Sequence, residues 1–80
     1  MNTLALEHFQ MAVCLNGKWV ALEDTHGYAS TMDMLTTVRT VLSAFGAQDA
    51  PAVLTVNYEH TLRTTASKVD EAVNNWCSDN

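Results

Sequence analysis

Five side chains in this chain have the chemistry to hold a metal or act as a nucleophile with its base: His8, Cys14, His26, His60 and Cys77. Zinc sites draw their ligands as pairs a few residues apart, and none of these five is spaced that way. A Cys–His catalytic pair must meet in space, which spacing along one chain does not show. The simpler reading is isolated histidines and two half-buried or buried thiols. Gly17, Gly27 and Gly46 stand singly, so no glycine-rich loop cradles phosphate. No Gly-x-Ser-x-Gly elbow is present, and a hydroxyl without a base and an oxyanion site is only a hydroxyl. Asp33 and Glu59 could be imagined as a two-metal carboxylate pair, but Asp33 is more simply an acid at a helix N-terminus. The chain therefore reads as non-catalytic, with no cofactor and no metal.

The bulk properties bound the rest. The 80 residues make one domain spanning 1–80, and a chain of that size buries roughly 60% of its unfolded surface. A hydrophobic content of 48% argues for a folded core. Nine acids against four bases give a net charge of -5, which opposes direct nucleic-acid binding because that relies on Lys and Arg. It favours a basic partner or simple solubility. The acids are scattered and form no block of like charge. Met1-Asn2-Thr3-Leu4 has neither a basic run nor a long apolar one, so no signal peptide or membrane span is expected. The expected compartment is the cytoplasm, where Cys14 and Cys77 stay reduced. In an oxidising environment the alternative is a disulfide tying the first strand to the last helix.

The central element is a helix from Ser30 to Gly46. Ser30 is placed as its N-cap and Asp33 as the capping-box acid. Leu35, Val38, Val41, Leu42 and Phe45 recur at spacings of three and four and form its apolar stripe. Gly46 suits the left-handed residue that ends a helix, and Pro51 cannot continue one. Before it, Met1 to Glu7 is ambiguous, a bulge or a lead-in. From Phe9 the alternation is that of a strand, with Phe9, Met11, Val13 and Leu15 facing one way and Gln10, Ala12 and Cys14 the other. Asn16-Gly17 predicts a type I′ turn, with a return strand from Lys18 to Glu23. Tyr28-Ala29 is a candidate for a short third strand. After the central helix, Ala52 to Tyr58 reads as a central strand. The stretch Glu59 to Ser67 fits both a strand, through Tyr58, His60 and Leu62, and a helix, through Leu62, Ala66, Val69, Val73 and Trp76. Ser67 with Asp70 favours a helix starting late and running to Cys77, with Ser78-Asp79-Asn80 frayed.

The order β-β-(β)-α-β-α implies an α+β fold: a small antiparallel sheet with two helices on one face. Met32-Asp33-Met34-Leu35, Leu54-Thr55-Val56-Asn57-Tyr58 and Val73-Asn74-Asn75-Trp76 together resemble the middle of the ribonuclease H fold. There, a helix opening with a Met–acid–Leu pattern is followed by a strand ending in Asp and a helix with an aromatic end. The resemblance implies a fold rather than nuclease activity, because Asn57 replaces the strand-end Asp and only Asp33 of the catalytic acids has a counterpart. One acid cannot hold two magnesium ions.

Three functions are open at this level. The first is a protein-binding module, in one version a small phage-type inhibitor that occludes a basic nucleic-acid-binding protein. The second is a degenerate ribonuclease H-like remnant dependent on Asp33. The third is a self-associating module in which an edge strand bearing Phe9, Met11 and Val13 pairs across a two-fold axis into a homodimer. The candidate partner-binding residues are Trp19, Tyr28, Glu23 and Asp24, with Trp19 the exposed aromatic anchor and Trp76 a core residue.

Overall fold

The computed structural model describes residues 5–79; the readings made for Met1 to Leu4 and for Asn80 lie outside them. The chain runs β1 (His8–Leu15), β2 (Lys18–Ala21), β3 (Thr25–His26), α1 (Tyr28–Ala44), β4 (Pro51–Val56), β5 (His60–Thr65), a 3₁₀ turn (Ala66–Lys68) and α2 (Val69–Asp79). The strands form one antiparallel sheet in the order β2-β1-β4-β5, with the short β3 also paired to β1. This is the expected α+β architecture, with both helices on one face.

β1 occupies the middle because its two edges are both used. Ala12 to Leu15 pair with β2 and His8–Phe9 with β3 on one edge, while Phe9 to Val13 pair with β4 on the other. Its alternation is the one read from the sequence: Phe9, Met11 and Val13 are buried. They meet Ala52, Leu54 and Val56 of β4, Leu35 and Leu42 of α1, and Val69, Val73, Trp76 and Cys77 of α2. The idea of Phe9, Met11 and Val13 on a free edge strand is thereby overturned. β1 has no free edge along these residues, and their side chains are the floor of the core.

The Asn16-Gly17 turn is as expected, with φ of 52° and 79°, both in the left-handed region a type I′ turn requires. The return strand is shorter than expected and ends at Ala21. The third strand is Thr25–His26, and Tyr28-Ala29 instead open α1. The helix starts earlier than Ser30 because Gly27 is its N-cap, at φ 83° and ψ 165°, a region essentially reserved to glycine. The Gly27 N–H donates to Glu7 O (2.9 Å), which ties the helix entry to the lead-in before β1. Ser30 and Asp33 therefore sit inside the helix, where no side-chain cap bond forms. Thr31, fully buried, donates its hydroxyl to Gly27 O at 2.8 Å. At the other end Gly46, at φ 72°, follows the last turn as anticipated.

The ambiguous stretch resolves as strand. Asn57-Tyr58-Glu59 turn the chain, and β5 pairs with β4 from Val56↔His60 to Pro51↔Thr65. The last helix does start late, at Val69, and includes Ser78 and Asp79. Trp76 is in the core, 9% exposed. Leu54 is fully buried between the two neighbouring strands and the helices. Leu54→Ala should cost about 2–5 kcal/mol of stability, read as a lower urea midpoint at unchanged m-value.

Candidate functional site

The apolar stripe assigned to α1 divides in two. Leu35 and Leu42 are buried, but Val41 is 46% and Phe45 82% exposed. The sheet does not reach them, because the strand on that side, β2, is short and lies at the margin. All four residues of β2 are exposed. Val20 pairs with Val13 and so faces the helical side, yet it is 43% exposed. Between α1 and this margin runs an apolar depression of about 190 Å³, walled by Val13, Leu15, Val20, Leu22, Val38, Val41 and Leu42 with Thr37. Through Leu22 and Val38 it joins a wider cavity of about 600 Å³ rimmed by Glu23, Asp24, His26, Ser30 and Met34. Through Leu15 and Leu42 it joins one of about 430 Å³ beside Phe45, Gly46 and Asp49. The three form one groove along α1, apolar in the middle and acidic at both ends.

The backbone of the margin is also open. The Leu22 N–H donates to Met11 O at 2.9 Å. Since bonding direction alternates along a strand, the N–H and C=O groups of Trp19 and Ala21 point away from β1, where no strand among the described residues receives them. A strand exposed on both faces and along one edge is the kind that folded proteins normally blunt. Here only Lys18 is charged, and among the described residues it has no ion-pair partner.

A second cluster lies at the far end of β1, on the face away from the helices. His8 is buried, with its Nε2 3.0 Å from Asp24 Oδ2. Its ring stacks on Tyr58 at 3.8 Å and meets His26 edge-on at 5.1 Å. Tyr58 holds φ 68° in the turn after Asn57, itself at φ 54°, an uncommon state for an aromatic residue. Asn57 explains why the turn persists. Its Oδ1 accepts from the Glu7 and His8 N–H groups, both at 2.9 Å, and its Nδ2 donates to Ala5 O at 2.6 Å. This cluster joins strand ends to one another. Among the described residues no three His, Cys, Asp or Glu side chains converge closely enough to hold a metal.

The candidate binding residues are not one site. Glu23 and Asp24 share the groove rim, with Asp24 engaged by His8 and by Gln10 Nε2 at 3.4 Å. Trp19 is 54% exposed, but it projects from the opposite sheet face, beside Cys14. Tyr28 is half-buried and structural: its hydroxyl donates to Asn74 Oδ1 at 2.6 Å, joining α1 to α2. Asp33 lies exposed on α1. The residues that sequence reasoning missed are Val20, Val41 and Phe45, whose apolar spacing is the same whether or not a sheet covers them.

Comparison with protein-family models, with curated proteins and with solved structures finds no match. No helix among the described residues is long and apolar enough to cross a membrane.

Two measurements test these placements. With Trp76→Phe, the remaining Trp19 should be readily quenched by acrylamide, whereas with Trp19→Phe the remaining Trp76 should be protected until the protein unfolds. Both cysteines are free thiols, Cys14 half-buried and Cys77 buried. Burial pushes the Cys77 thiol above its ordinary value of 9.0, because desolvation disfavours the thiolate. Alkylation should modify Cys14 first and Cys77 only on unfolding. By linkage, the contribution of the neutral Cys77 thiol is present below pH 9.0 and lost as pH rises through the raised folded value. Cys77→Ala should therefore flatten the alkaline end of the stability profile.

Proposed function

We propose that this chain is a protein-docking module that works in the cytoplasm and uses the β2 margin and the groove beside it. The observation that carries the reading is the exposure of Val20, Val41 and Phe45 around an apolar groove, next to a strand edge with unmet backbone donors and acceptors. Exposed apolar surface beside an open edge supports recognition by strand addition, in which main-chain bonds supply affinity and flanking side chains supply selectivity. Free Cys14 and Cys77 support a reducing compartment. The acidic groove ends and the net charge of -5 disfavour an acidic partner.

The test is capture with surface variants. An immobilised wild-type chain should retain a protein, whether from the source lysate or a differently tagged copy of itself. Retention should fall about tenfold or more with Val20→Lys or Phe45→Ser, consistent with loss of a central apolar contact. Circular dichroism should show both variants folded. Retention indifferent to both substitutions would place binding elsewhere and end this reading.

A further inference from the structure

Resting on that reading of the β2 margin, we infer that its occupant is a second copy of this chain, joined β2 to β2 in antiparallel register about a two-fold axis. Three observations lead there. The outward-facing backbone groups of Trp19 and Ala21 are those an antiparallel neighbour would bond. A two-fold normal to the sheet keeps the helical faces of both copies on the same side, so residues of like parity must oppose each other. Centred on Ala21, it sets Val20 across from Leu22, the two apolar side chains that β2 and its extension leave half-open on the helical face.

The same register makes the ends complementary in charge. Lys18, unpaired at the start of β2, comes opposite Asp24 and beside Glu23 of the second copy, and the reverse holds at the other end. A parallel neighbour of the same sequence would set Lys18 near Lys18 and acid near acid. The pairing would extend the sheet across both chains, remove its most exposed edge and bring Val41 and Phe45 of each copy to the margin of the seam. Closed two-fold association is also the commonest way a chain uses a self-complementary patch.

Light scattering across a dilution series should show twice the chain mass at the concentrated end, falling to one chain on dilution. Ala21→Pro removes an outward N–H but no bond to β1, and should leave a folded monomer. Lys18→Glu should raise the dissociation constant roughly twofold to fivefold, as for an exposed ion pair. In a Cys14→Ser background, Ala21→Cys should form an interchain disulfide under mild oxidation, because opposed residues of a hydrogen-bonded antiparallel pair bring their Cα atoms to about 5.5 Å. A single-chain mass at every concentration, or a dimer that survives Ala21→Pro without cross-linking through Cys at 21, overturns the inference. If the monomer still captures another protein, and loses it with Val20→Lys, the docking reading stands and its occupant is that protein.

Discussion

The burial of Phe9, Met11 and Val13 beneath the two helices is the constraint from which the rest of the structure follows. Side chains alternate along a strand, so a slip of one residue would turn these three to solvent and bring Gln10, Ala12 and Cys14 inward. That requirement holds β1 in one register with β4 on one side and with β2 and β3 on the other. It also settles where the helices go. α2 and the start of α1 lie over the middle of the sheet, and the far part of α1 overhangs β2 without closing on it. The open groove is thus a product of the packing that stabilises the core.

Much of the fold was legible because its signals were local. Asn16-Gly17 marked the hairpin, the alternation of β1 marked its buried face, and Gly46 marked the helix end. The misreadings came where a local pattern competed with a distant contact. Ser30 and Asp33 imitate a capping box, but the Gly27 bond to Glu7 draws the helix start forward. Between His60 and Thr65 the residues satisfy the period of a strand and of a helix alike. Six cross-strand pairs with β4 decide for the strand, and the threonines, poor helix formers, lie where their β-branching is suited.

The docking surface was less legible than the fold. An exposed Trp19 could be anticipated from its parity on a hairpin strand. Val41 and Phe45 could not, because helical periodicity identifies an apolar stripe without saying whether its far end meets a sheet. Tyr28 was misassigned as an anchor since nothing near it in sequence reveals the bond to Asn74, on the last helix. Asn57 resembled an ordinary strand end. Its three bonds to the lead-in depend on a left-handed backbone that becomes apparent only with the turn in place.

That clasp bears on how the protein is made. The backbone at Glu7 and His8 waits for a side chain 50 and 49 positions later, and β1 waits for β4, encoded almost as late. A chain leaving the ribosome from its first residue would carry Phe9, Met11 and Val13 bare until most of its length had emerged. Contacts so distant along the chain slow folding and lengthen that exposure. The nascent first strand is accordingly the segment most in need of chaperone shelter, and its safety depends on the prompt arrival of the β4–β5 hairpin.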